Sequence, residues 1–275
     1  MDRDWQQGQL APRAFRIRGL LILSLGVLAA AAAFFLPPLP QDQAYHNFAD
    51  QRGFFGVPNC LNVISNAPFL AVGSLGLVFL LHQRAKRPRG SFIDPWERWP
   101  FVLLFAGVGL TAFGSAYYHL APANGRLVWD RLPMAVAFMS LFAAVIAERI
   151  GLKTGRWLLA PLVAFGVGSV VYWHLGELAG AGDLRAYLLV QFFPLIAIPL
   201  LVVLFPLRYT RSADLLGAAG IYALAKVFEL FDTQFLALGR LISGHTLKHL
   251  AAALAAYWIL RMLKLRRPAE PPRVL

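Results

Sequence analysis

Three histidines, a serine and an aspartate stand at spacings from which metal chemistry can be built. In G-S-A-Y-Y-H, Ser115 and His119 are four residues apart, so a helix would carry both on one face. In G-H-T-L-K-H-L, His245 and His249 show the same one-turn spacing, and Asp130 follows His119 by eleven positions. Three neutral imidazoles from two helices suit a tetrahedral zinc whose fourth position is left to water, the arrangement of a catalytic site. Such a zinc lowers the pKa of bound water towards about 7 and polarises a carbonyl, which brings amide or ester hydrolysis within reach near neutral pH. A neighbouring Asp could take the water's proton and pass it to a leaving amine. Each signal is weak alone. A lone HxxxH pair also serves helix packing, Ser115 suits a tight membrane-helix contact, and Asp130 suits a helix N-terminus. Only convergence would make them a site.

The elements that must position them are apolar helices. The chain has 275 residues, 58% hydrophobic and only 15% charged, too apolar for an ordinary soluble domain. Apolar runs of about 20 residues, the length that crosses a hydrocarbon core, recur at 18–39, 60–82, 99–119, 127–148, 157–175, 187–207, 215–235 and 245–265. The expected fold is an all-α polytopic transmembrane bundle of eight spans. The first run could be a cleaved signal peptide, but its length and the absence of a small-residue cleavage site favour a retained anchor. The net charge of +12 resides in short connectors, which is how topology is encoded and not a nucleic-acid surface. Arg13, Arg16 and Arg18, then Arg84, Lys86, Arg87 and Arg89, then Arg149, Lys153 and Arg156, then Arg208 and Arg211, and finally Arg261, Lys264, Arg266 and Arg267 occupy alternate connectors. Both termini are therefore expected in the cytoplasm, and His119, Asp130, His245 and His249 at one outer face. A bacterial inner membrane is the expected compartment. The single cysteine, Cys60, excludes an internal disulfide and a multi-cysteine zinc site.

A second polar group lies in the seventh run, where Lys226, Glu229 and Asp232 recur every third residue. Lys226 and Glu229 can neutralise one another inside the bundle; alternatively Glu229 or Asp232 meets a polar head group, or the three form an ion path. No internal repeat supports a transporter. His46 and His82 are expected at the surface, His174 and Glu177 at the interface, and Trp129, Trp173 and Trp258 as anchors or packing residues.

Taken in order, N-V-I-S-N (Asn62 to Asn66), G-S-x-x-x-H (Gly114 to His119), W-D-R-L-P-M (Trp129 to Met134) and H-x-x-x-H (His245 to His249) resemble the alkaline ceramidase family. That family belongs to a group of seven-helix membrane hydrolases which also includes the adiponectin and progestin receptors and the haemolysin III proteins. The resemblance covers Asp42 to Leu265. It implies a cytoplasmic segment over 1–17, an added N-terminal transmembrane helix over 18–39, a seven-helix hydrolase core over 40–265 and a cytoplasmic tail over 266–275. It further implies His119, His245 and His249 as zinc ligands, Ser115 as oxyanion stabiliser and Asp130 as general acid and base. The substrate would be a ceramide-like lipid, cleaved at its amide to fatty acid and sphingoid base. A receptor or regulator of the same fold, with a structural or weakly hydrolytic zinc, is the alternative. The sequence departs from the family at Arg131, where an acidic residue is usual, and at Asn59, where a calcium-binding carboxylate would fall. Asp42, Asp50, Asn59 and Asn62 still offer hard oxygens for calcium, although Asp50 can instead pair with Arg52.

Overall fold

The computed structural model describes residues 11–82 and 91–269. The basic connector holding Arg84, Lys86, Arg87 and Arg89, the first ten residues and the tail from 270 onward lie outside the described residues. Helix α1 (Pro12–Phe35) starts on a proline, whose missing N–H is not needed in a first turn, and stops ahead of Pro37, Pro38 and Pro40. The expected second run is divided: α2 (Cys60–Ile64) ends at Ser65 and α3 (Ala67–Leu81) begins just before Pro68. Then follow α4 (Arg98–Leu120), α5 (Asn124–Arg149), α6 (Leu152–Leu178) and α7 (Arg185–Leu204). The expected seventh run is also divided, at Phe231, into α8 (Asp214–Leu230) and α9 (Asp232–Gly239). Helix α10 (Gly244–Leu265) closes the bundle.

Among the described residues, six segments are long and apolar enough to cross a membrane: α1, α2 with α3, α4 with the turn before it, α5, α6 and α7. The protein is an all-α, multi-pass membrane bundle. Helix α8 is short, at 17 residues, and α10 carries His245, Lys248, His249, Arg261 and Lys264. These two expected spans pack on each other, with α10 also lying against α3. Leu20, Leu23, Leu28 and Phe34 of α1 are exposed, as residues facing hydrocarbon should be.

Helix α1 lies along α7, where the Phe193 ring packs beneath Gly26. Arg18 donates to the Leu204 carbonyl at one end, and Arg185 donates to the carbonyls of Phe34 and Leu36 at the other. A cation at a helix C-terminus completes carbonyls that have no intrahelical donor. Asp183 holds Arg185 at 2.7 Å and also accepts from the Leu39 amide.

Opposite the histidines, the bundle is tied by a second polar set. Arg208 pairs with Glu97 at 2.9 Å and Arg266 with Glu148 at 2.5 Å, all four buried. The Arg266 guanidinium stacks on Tyr209, and Arg149 donates to the Phe205 carbonyl. Arg266, expected to open a free tail, is thus an internal strut. Arg211 and Arg261 meet Asp214 beside it. Arg18, Arg149, Arg208, Arg211, Arg261 and Arg266 gather at one end, as alternate connectors require.

One close approach sets the geometry of the other end. A Cβ on Gly114 would lie 1.9 Å from the Trp129 carbonyl oxygen, so only glycine lets α4 and α5 meet there. That contact puts Ser115 beside Asp130. Gly114→Ala should lower thermal stability in detergent by about 1–3 kcal/mol through overpacking. Gly168→Ala, where an added Cβ meets nothing within 4 Å, should not; equal melting temperatures for the two variants would refute the contact's importance. The Asp183 clasp has its own signature. The Arg185 side chain, helped by backbone donors, holds the Asp183 carboxyl down at about 2. Its stabilisation is complete above the unfolded value of about 4 and is lost as pH falls through the folded value. An acid titration of wild type and Asp183→Asn should therefore converge between those limits, and parallel curves would refute it.

Candidate metal centre

His119 is the penultimate residue of α4, and His245 and His249 occupy the first two turns of α10. Their rings stand 4.8–4.9 Å apart between centroids, and one ligand atom from each lies within 4.8 Å of the others. All three are buried. The Nε2 atoms of His119 and His245 are 3.3 Å apart. Two nitrogens on a tetrahedral zinc with bonds of about 2.0–2.1 Å would be roughly 3.3–3.4 Å apart. Lone pairs brought this close repel unless a cation or a proton lies between them. The donor set therefore fits zinc, and no other trio of His, Cys, Asp or Glu among the described residues offers a comparable cage.

The histidines are fixed by surrounding groups. The Ser65 hydroxyl donates to the Asn62 carbonyl at 3.2 Å and lies 2.8 Å from His249 Nδ1. Its lone pair can then accept an Nδ1–H, which leaves His249 Nε2 as an electron-pair donor. Asn62 accepts from Thr246 at 2.9 Å, joining α2 to the first turn of α10. The His245 amide donates to Asp232 Oδ1 at 2.7 Å, and the Ala49 amide donates to Oδ2 at 2.9 Å. Asp232 caps the start of α10 and ties the 47–50 loop to it. Phe48 from that loop packs on His119 and His245, with ring centroids 4.6 and 4.5 Å away. Gly244 is required because a Cβ there would lie 2.1 Å from the Phe228 carbonyl oxygen.

An apolar cavity begins at this centre. Ser115, Asp130, Lys248 and His249 line its polar head, and Leu104, Leu215 and Ile259 line its far reach. From His249 to Ile259 is ten helical residues, about 15 Å. The Ser115 hydroxyl is within hydrogen-bonding reach of the Asp130 carboxylate, which is buried.

Not every expected residue joins the centre. Lys226 pairs with Glu229, as its spacing predicts, but Glu229 also receives Lys248 at 2.7 Å and the Tyr45 hydroxyl at 3.2 Å. The calcium candidates have other partners. Asp50 is held by Arg52, which keeps its carboxyl below the ordinary carboxylate range. Asp42 caps the Gln43–His46 turn, Asn59 donates to the His119 carbonyl at 2.9 Å, and Asn62 donates to the Asp50 carbonyl at 3.1 Å. His46 is an interior bridge, half-buried between Tyr118 and Asn124 at 2.8 Å each. His82 is exposed, as expected. Glu177 accepts from the Gln41 amide, Asn124 and Trp173, binding the same loop. Sequence reasoning passed over Lys248 and Ser65. Lys248 lies within the H-T-L-K-H motif, three residues past His245, so only its position on the cavity side of α10 was hidden.

No protein-family model and no curated protein matches the sequence, so the functional argument rests on this geometry. Purified protein should carry about one zinc per chain, and His245→Ala should lose it. Ser65→Ala should keep the fold but weaken metal affinity about 10–100-fold in a competitive chelator titration. Unchanged affinity would remove Ser65 from the support of the site.

Proposed function

We propose that this protein is a membrane-embedded, zinc-dependent amidohydrolase that cleaves the amide bond of a ceramide-like lipid to a fatty acid and a sphingoid base or related amine. The observation that carries this reading is the convergence of three buried imidazoles, one of which, His249, lines the head of an apolar cavity together with Ser115 and Asp130. Zinc held there would supply Lewis-acid polarisation of the carbonyl and a more acidic water. The cavity takes the acyl chain, whose transfer from lipid to apolar protein leaves its hydrophobic stabilisation intact. Asp130 accepts the proton of the attacking water and delivers it to the departing nitrogen, which must be protonated to leave. Ser115 steadies Asp130 at rest and turns its hydroxyl to the developing oxyanion. The acidic residue common after this Asp in the family is Arg131 here, so Asp130 works beside a cation.

With the basic connectors on the cytoplasmic side, the site faces outward and both termini face inward; a bacterial inner membrane fits that arrangement. The receptor or regulator reading is the one to separate by experiment. Wild type should release fatty acid from a panel of ceramides and other N-acyl lipids. Asp130→Asn should retain zinc and lose at least about a hundredfold in rate, the lower range for general acid–base assistance. Zinc retained with no lipid amide cleaved by wild type would favour the regulator; absence of zinc would reduce the histidines to packing residues.

A further inference from the structure

A second cavity adjoins the apolar one, and the two share Asp130, Met134, Gln191, Lys226 and Lys248. Its character is different. Arg131, Lys226 and Lys248 face it together with Asp130 and Glu229. Glu229 is engaged by both lysines, and Asp130 has Lys248 and Arg131 as its neighbouring cations. Three cations thus share two carboxylates in this lining, and one positive charge is in excess. Arginine cannot shed its proton in a protein.

Arg131 lines this cavity and is held in a way that leaves one of its nitrogens unpartnered. It is buried, 6% exposed, and its guanidinium lies 4.3 Å from the Trp173 ring and 4.8 Å from the Tyr187 ring. Its Nη2 donates to Gln41 Oε1 at 2.6 Å, while Nη1 is buried without a partner. Among the described residues no carboxylate pairs with it. The neighbouring Glu177 carboxylate accepts from the Gln41 amide and the Trp173 indole. A buried guanidinium with no carboxylate hydrogen-bonded to it is costly, whereas an oxyanion in the cavity would complete it by charge-assisted hydrogen bonds.

We infer that the amine half of the substrate carries an anionic group, a carboxylate or a phosphate, which enters this second cavity and binds Arg131. The inference rests on the amidohydrolase reading for its catalytic arm. The two cavities meet at Asp130 and Lys248, so a lipid amide lying there sends its acyl chain one way and its head group the other. Lys248 and Lys226 broaden the positive field, and Arg131 provides the directional donor.

The test uses substrate pairs that differ in charge on the amine half: N-palmitoyl glycine against N-palmitoyl ethanolamine for the carboxylate, and a ceramide phosphorylated on its primary hydroxyl against the parent ceramide for the phosphate. With the zinc-loaded full chain, at least one anionic member should exceed its neutral partner about tenfold in kcat/KM, mainly through KM. Which pair shows it identifies the anion. Arg131→Gln should collapse that ratio, and Arg131→Lys, which keeps charge but not the planar fork, should restore part of it. A binding arm needs no turnover: in metal-stripped protein the anionic lipids should raise the melting temperature more than the neutral ones, and Arg131→Gln should erase the difference. Equal or inverted preference in wild type, or a preference that survives Arg131→Gln, overturns the proposal. If no lipid is hydrolysed yet the anion-dependent stabilisation appears and needs Arg131, the hydrolase reading fails and the anion site stands. If hydrolysis occurs without anion preference, the reverse holds.

Discussion

A polar group inside a hydrocarbon-embedded bundle must find its partner within the protein, because neither lipid nor water can supply one. The rest of this structure depends on how that constraint is met around three imidazoles. They converge closely enough for nitrogen lone pairs to oppose one another unless a cation or a proton lies between them, and holding them in that arrangement needs a rigid surround. The surround comes from distant parts of the chain. Ser65 orients His249 from the end of α2, Asp232 caps α10, which carries His245 and His249, and Phe48 covers the rings from a loop. None of these groups is large, but each removes a freedom the histidines would otherwise have.

The same rule explains the division of labour between the two ends of the bundle. At the basic end, Glu97, Glu148, Arg208 and Arg266 are buried as matched ion pairs, with Tyr209 stacked against Arg266. Breaking one member of such a pair would leave an uncompensated buried charge, so this end resists separation of α4, α5 and α10. At the histidine end the charges are less complete. Lys226 and Lys248 share Glu229, and among the described residues no carboxylate is bonded to Arg131, which lies against aromatic faces and an amide. A bundle locked at one end and incompletely neutralised at the other is suited to admitting a charged ligand without losing its packing.

Much of the frame was legible in the sequence, because apolar length and cation placement are local quantities. The one-turn spacings of Ser115 with His119 and of His245 with His249 correctly anticipated shared helix faces, and alternate basic connectors anticipated which helix ends meet. What escaped was long-range. The break at Phe231 has no proline to announce it; it coincides with the approach of Gly244 to Phe228 and with Asp232 turning to cap α10. Asp232 therefore read as part of a stripe with Lys226 and Glu229, although its partners are amides far away in sequence. Of the oxygens read as possible calcium ligands, those of Asp50 and Asn62 meet Arg52 and Thr246, partners that residue type alone does not reveal. The N-V-I-S-N segment served only as a family marker, since nothing local shows that Ser65 reaches an imidazole 184 positions further on.

The depth and shape of the cavities bear on why such a centre would lie within a membrane at all. The apolar cavity follows α10 for about 15 Å, roughly half of a hydrocarbon core about 30 Å thick. An acyl chain occupying it would thus remain at the depth it already has in one leaflet, and its transfer would expose little apolar surface to water. The polar cavity on the other side of Asp130 and Lys248 would receive what the leaflet holds at its surface, the head group. The scissile amide would then fall at the junction, where hydrocarbon gives way to head group both in the bilayer and in the protein. On the proposed reading, matching that boundary would orient the substrate: a lipid could enter in only one direction without burying its polar end in the apolar cavity, and that direction would bring its amide to Asp130 and His249.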